Sequence, residues 1–185
     1  MSEQILTATL NARLQPMHRF ESFEEPLNTA MQAEKVGEVT GGGTMMASHG
    51  EVSWCDLELA VGAVSQASIE RVVAELEQLG APKGSYLSFP DGDVRLDFGA
   101  QEGLAIYLNG TDLPASVYET SDINDVIEDL ETALGDRGAL KSWWEGPEET
   151  ALYLYGPSYA NMRELIAPIL AATPLCQQCR CVQIA

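Results

Sequence analysis

Residues 38–61 read EVTGGGTMMASHGEVSWCDLELAV. Two β-prone runs, 38–46 and 52–61, flank the turn ASHGE, and Gly41, Gly42 and Gly43 stand inside the first run. A phosphate-binding loop needs a strand, then glycines, then a helix whose free N–H groups face the anion. Here a second strand follows the glycines, and no lysine follows Gly43. The stretch therefore reads as a β-hairpin. Glycine inside an edge strand marks a bulge or a close approach of backbones. In the second run, alternation sends Cys55, Leu57 and Leu59 to one face and Trp54, Asp56 and Glu58 to the other.

The flanking segments extend this hairpin into a unit. ILTATLNARL (5–14) alternates as a strand, and FEEPLNTAMQAEKV (23–36) reads as a helix with Pro26 in its first turn, where a missing N–H costs little. SQASIERVVAELEQLG (65–80) is an amphipathic helix with Ile69, Val72, Val73, Leu76 and Leu79 along one face and Gly80 as its stop. SYLSF (85–89) is a strand, and the turn PDGD leads into VRLDF (94–98) as a hairpin partner.

The same order then starts again. GLAIYLNG (103–110) is a strand and SDINDVIEDLETALGDRG (121–138) a helix. ALKSWWEG and ETALYLYG are paired strands, SYANMRELIAPILAAT is a helix, and CRCVQIA is a last strand. Letters recur in register: Leu10–Ala12 with Leu108–Gly110, Leu57 and Leu59 with Leu152 and Leu154, and Gly80–Pro82 with Ala172–Pro174, at offsets of 98, 95 and 92 residues. Such a repeat implies an α+β fold of two tandem ferredoxin-like (βαββαβ) units, mostly antiparallel, with helices on one face of each sheet. The boundaries expected are 1–90 for the first repeat, 91–102 for a connecting hairpin strand and linker, and 103–185 for the second, the whole forming one pseudo-symmetric domain.

Composition bounds the function. Ten basic against 28 acidic residues give a net charge of −18. Phosphate backbones and anionic membrane surfaces would be repelled, so neither nucleic acid nor membrane is an expected partner, whereas a basic protein would be steered in. No apolar run approaches the roughly 18–20 residues of a membrane span, and no basic segment followed by an apolar core opens the chain, so a cytoplasmic location is expected. The acid is concentrated. Between 112 and 149 there are 11 acidic residues and 2 basic ones. On the 121–135 helix, Asp122, Asp125, Glu128 and Asp129 lie off the apolar stripe, and Trp143 and Trp144 follow closely.

Alternation also puts Tyr107, Tyr153 and Tyr155 on the outer sheet face, as it does Trp54, Asp56 and Glu58. Aromatic rings among carboxylates suit a cationic partner. These residues are the expected anchors of a non-catalytic binding module, in concrete form an immunity-type inhibitor of a basic toxin or nuclease, by analogy of charge and size alone. The expected assembly is a monomer or homodimer.

The alternative is a small-molecule site, catalytic or not, between the repeats, with Gly41, Gly42, Gly43, Thr44, His18 and Arg19 at its rim. No serine-hydrolase, zinc-protease, Walker or EF-hand motif is present, and two histidines leave little for imidazole catalysis. No cofactor is expected. Cys176, Cys179 and Cys181 contain a CxxC, half of a zinc site. The other half is missing, so metal binding is not expected, and reduced thiols are.

Overall fold

A computed structural model describes residues 4–90, 92 and 94–185. Asp91 and Asp93 of the PDGD turn lie outside the described residues. The chain divides into two units. The first takes the described residues up to Ser48, Val52–Gln101 and Ala185. The second takes His49–Glu51 and Glu102–Ile184.

The first unit runs β1 (Gln4–Leu10), α1 (Pro16–Arg19), a π-helical segment (Phe20–Glu24), α2 (Glu25–Ala33), β2 (Gly37–Met46), β3 (Val52–Val61), α3 (Gln66–Gln78), β4 (Ser85–Ser88) and β5 (Arg95–Phe98). Its sheet has the order β2-β3-β1-β4-β5, antiparallel throughout. The second unit runs β6 (Glu102–Asn109), α4 (Ala115–Thr120), α5 (Ile123–Leu134), β7 (Ala139–Glu145), β8 (Glu149–Gly156), α6 (Tyr159–Ala172) and β9 (Arg180–Gln183), with sheet order β7-β8-β6-β9. In both, the first strand lies between the third and the fourth, and the second takes the edge. That is the split βαβ order of a ferredoxin-like unit. The fifth strand, β5, is an addition to the first unit's sheet. It lies within 91–102, the stretch read as a connecting hairpin strand and linker, and pairs with β4.

The repeat extends to the strand register. Ala8 faces Leu57 and Leu6 faces Leu59 in the first unit; Ile106 faces Leu152 and Leu104 faces Leu154 in the second, at the offsets of 98 and 95 residues that the sequence repeat carries. The bulge recurs too. The register of β2 against β3 shifts between Val39 and Gly41, and that of β7 against β8 between Leu140 and Ser142. Both shifts fall at the same step of the repeat. The extra residue is Thr40 in the first unit and Lys141 in the second, so this bulge does not need a glycine.

Helical segments follow local chemistry. Ser65 caps α3, accepting from the Ser68 N–H at 3.2 Å while Ser68 Oγ accepts from the Ser65 N–H at 2.9 Å. Helix begins earlier than the periodicity implies, at Pro16. Pro26 sits inside the helical run, where it offers no N–H to the carbonyl four residues back. The chain widens by one residue immediately upstream, and the Glu25 N–H bonds Phe20 O in the π pattern. Among the described residues, no helix is long and apolar enough to cross a membrane.

Leu6, Leu10, Leu27, Leu57, Leu59, Val72, Leu76 and Leu87 are buried in the first unit, and Leu104, Ile106, Val126, Leu130, Leu152, Leu154, Met162 and Ile166 in the second. Each contributes on the order of 2 kcal/mol through burial.

Candidate functional site

The repeat makes each unit a control for the other. With Leu57 equivalent to Leu152, Gly42 is equivalent to Trp143, Gly43 to Trp144, Thr44 to Glu145 and Cys55 to Thr150. In the first unit this place is filled from within. Arg19, at the end of α1, is buried. Its Nε–H donates to Glu24 and its Nη1 to Thr44 Oγ1. Gly42 lies beneath the pair. A Cβ there would stand 2.8 Å from Glu24 Oε1, 2.9 Å from Arg19 Nε and 2.8 Å from the Asp56 carbonyl. Gly43 has open space around it, and Gly41 faces only the Glu58 carboxylate, at 3.3 Å. Of the candidate ligand set Gly41, Gly42, Gly43, Thr44, His18 and Arg19, then, Arg19, Gly42 and Thr44 form one internal contact. The charge that could draw an anion already faces Glu24. His18 lies half-buried beside them in the chain.

In the second unit the equivalent place is a cavity of about 600 Å³. Leu108, Ile123 and Leu175 supply its apolar lining, and Glu119, Asp122, Asp125 and Glu145 its charge. Among the described residues, no lysine, arginine or histidine lines it. Glu145 and Thr150 are the counterparts of Thr44 and Cys55, the first of which holds Arg19 and the second of which feels its charge. The walls are fixed by the chain itself. Asn109 Oδ1 accepts from the Thr111 and Asp112 N–H groups at 2.9 and 2.8 Å. The Tyr118 hydroxyl accepts from the Leu113 N–H at 3.0 Å and donates to the Asn109 carbonyl at 3.2 Å. Asp122 caps α5, its Oδ1 accepting from the Asn124 N–H at 2.8 Å. Trp143, half-exposed, leaves β7 on the same face as Glu145, two residues away. Glu128 and Asp129 lie further along α5 and are exposed.

The sheet-face anchors divide. In the first unit Trp54 and Glu58 are exposed as alternation implies, and Asp56 is half-buried, accepting from the Thr9 hydroxyl at 2.6 Å. In the second unit the expectation fails. Tyr107, Tyr153 and Tyr155 are buried and form no exposed aromatic face. Two of them serve a carboxylate: the Tyr107 and Tyr153 hydroxyls donate to Glu51 Oε1 at 2.6 and 2.8 Å, and His49 Nε2 meets Glu51 Oε2 at 2.9 Å. Sequence reasoning missed Glu51. Its tyrosine partners lie 56 and 102 residues away, and nothing in a turn reading ASHGE announces them. Trp144, half-buried, meets the His49 ring edge to face at 5.8 Å. Arg180 stacks on the Tyr107 ring at 3.5 Å and grips Glu149 with two bonds of 2.9 and 2.7 Å. That guanidinium holds the Glu149 carboxyl below its ordinary range.

All four cysteines are free thiols. Burial pushes Cys55 up to about 12 and Cys176 up to about 11. Cys179 goes the other way, down to about 7, because the Cys181 thiol donates to its sulfur and Arg163 lies near. Cys181 precedes Val182 in β9, whereas Cys179 lies just before the strand. Among the described residues, no group of three or more His, Cys, Asp or Glu side chains is arranged to hold a metal ion.

No family model matches the chain, and no curated protein does. Among solved structures it is similar to an unknown protein from Galdieria sulphuraria, at 8% identity over 98% of both chains and a TM-score of 0.30. It is similar also to the first two RRM domains of the yeast poly(U)-binding protein, at 11% identity over 97% of this chain and 99% of that one, TM-score 0.27. A third is the regulatory subunit of aspartate kinase from Thermus thermophilus, at 12% identity over 86% and 87%, TM-score 0.28. At these scores the similarities carry no functional argument. The description of the fold rests on strand order and register.

Proposed function

We propose that the protein is a non-catalytic binding module for a basic protein, and that the acidic cavity between α5 and β7 receives an arginine or lysine side chain of that partner. One observation carries this reading. The first unit fills the equivalent place with its own Arg19, held by a carboxylate and by the residue equivalent to Glu145. The second unit has the cavity, with four carboxylates and no cation of its own among the described residues. An apolar lining beneath an acidic rim suits a side chain with an aliphatic stem and a cationic head. The net charge of −18 would steer a basic partner toward it, and Trp143 supplies an exposed aromatic beside the rim. An inhibitor of a basic toxin or nuclease is the concrete form of this function.

The test is a titration of ¹⁵N-labelled protein with N-acetyl-arginine amide, with N-acetyl-glutamine amide as the control. Shifts are expected at Asn109, Thr120–Asp125 and Glu145. They should disappear in the combined variant Glu119→Gln, Asp122→Asn, Asp125→Asn, in which Asn still caps α5. Shifts scattered evenly over the acidic surface, or unchanged in the variant, would contradict the proposal.

A further inference from the structure

The fifth strand creates a second surface, independent of the acidic cavity. Two helices, each about 10 Å across, cover roughly four strands spaced about 4.8 Å apart. The first unit has five strands and two main helices, and β5 lies outermost, beyond β4. Leu96 pairs with the buried Leu87 and so lies on the helix side of the sheet, yet it is 40% exposed, and Val94 is 60% exposed. Helix α3 shows the other wall. Val72 and Leu76 are buried in the core, while Ile69 and Val73, from the same apolar stripe, remain only half-buried. Together with Phe89 they line a groove of about 620 Å³ between α3 and β5.

The rim decides what fits. Glu70 and Glu77 stand one above the other along the groove side of α3. The cation at the groove, Arg95, is occupied, donating to Asp97 at 2.6 Å and stacking on Tyr86 at 3.7 Å. An anionic ligand would be repelled by this rim. The lining of α3 runs from Gln66 to Glu77, about 16 Å or three helical turns. We infer that this groove is a docking site for a basic amphipathic helix of a partner protein, laid along α3 with its aliphatic residues on Ile69, Val73, Val94 and Leu96 and its lysines or arginines opposite Glu70 and Glu77. The helix supplies the covering layer that β5 lacks.

The probe is a labelled, acetylated peptide of about 15 residues, built from Leu, Ala and Lys with its leucines at helical spacing. A control peptide has the same composition in scrambled order. Binding to the full chain is followed by fluorescence anisotropy. The amphipathic peptide should bind at least about tenfold more tightly than the scrambled one. Val94→Lys, at an exposed site with no part in the core, should weaken it about tenfold. The combined variant Glu119→Gln, Asp122→Asn, Asp125→Asn should leave it unchanged. Equal binding of the two peptides would reduce the effect to general attraction and overturn the proposal. So would a Val94→Lys variant that binds normally, or loss of binding in the cavity variant. Light scattering covers another occupant: a dimer of the free protein that Val94→Lys dissolves would assign the groove to a second copy. New amide protection along β5 without peptide helicity would assign it to an added strand. Either result overturns the helix.

Discussion

Gly42 is the residue at which sequence and structure bear most directly on each other. The three glycines look alike in the sequence, but their surroundings separate them. Gly42→Val would drive a side chain into the Arg19–Glu24 pair and the Asp56 carbonyl, and urea denaturation should show a loss of ~2 kcal/mol or more. Gly43→Ala meets nothing and should stay within about 0.5 kcal/mol of the parent. The buried carboxylate of Glu51 gives a second prediction. Tyr153→Phe removes one of its two phenol donors and should cost ~1–3 kcal/mol. A double-mutant cycle of Tyr107→Phe with Tyr153→Phe should be non-additive by more than about 0.5 kcal/mol, since both phenols serve one oxygen. The cysteines give a third. With its thiol down to about 7, Cys179 is ionised above that pH and protonated below it. Iodoacetamide should therefore modify Cys179 ahead of Cys55 and Cys176, and its rate should rise through a midpoint near pH 7, as peptide mapping would show. Little of this was legible beforehand. Alternation assigned Cys55, Leu57 and Leu59 to the core correctly, because one face of that strand is apolar. It assigned Tyr107, Tyr153 and Tyr155 to an exposed face because periodicity reports which side a residue takes and not what covers that side.

Among the elements, the strands were the most legible. Period-two runs bounded by turn residues located the eight strands that make up the two βαββαβ units, and the hairpin pattern located β5. The bulge in β2 was legible too, but its cause was not. Glycine suggested it, whereas the equivalent shift in β7, between residues 140 and 142, occurs without one. The helical segments at 16–24 and 115–120 were harder, whereas α2 and α5 fall within the runs read as helices at 23–36 and 121–138. A proline inside a helical run looks like a start signal, and the π segment that accommodates Pro26 leaves no pattern of its own. Helix α4 has six residues and none of them buried, so it offers no stripe to detect. Capping makes a prediction at this scale. Ser65→Ala breaks the reciprocal box at the start of α3 and should lower stability by ~1 kcal/mol in chemical denaturation. Ser68→Ala should do nearly as much, because each hydroxyl serves the other's backbone N–H.

Duplication organises the whole molecule. Two units of one register, with offsets preserved from sequence to strand pairing, differ at one equivalent place. One copy encloses an arginine, and the other has an acidic cavity. The acidic run between 112 and 149 was legible as a charge excess, but its focus was not. Glu119 and Glu145 join Asp122 and Asp125 only after α4 and β7 fold around Leu108 and Ile123, whereas Glu128 and Asp129, equally prominent in the sequence, lie away from the cavity. Partner binding should depend on these cavity carboxylates and not on total charge. The most direct measurement is affinity capture from the native lysate at low salt, run in parallel with the parent protein and with the combined variant Glu119→Gln, Asp122→Asn, Asp125→Asn, the retained proteins being identified by mass spectrometry. The predicted result is one stoichiometric basic protein on the parent, released by high salt and absent from the variant. Retention of no basic protein by the parent, or of the same protein equally by both, would contradict the account.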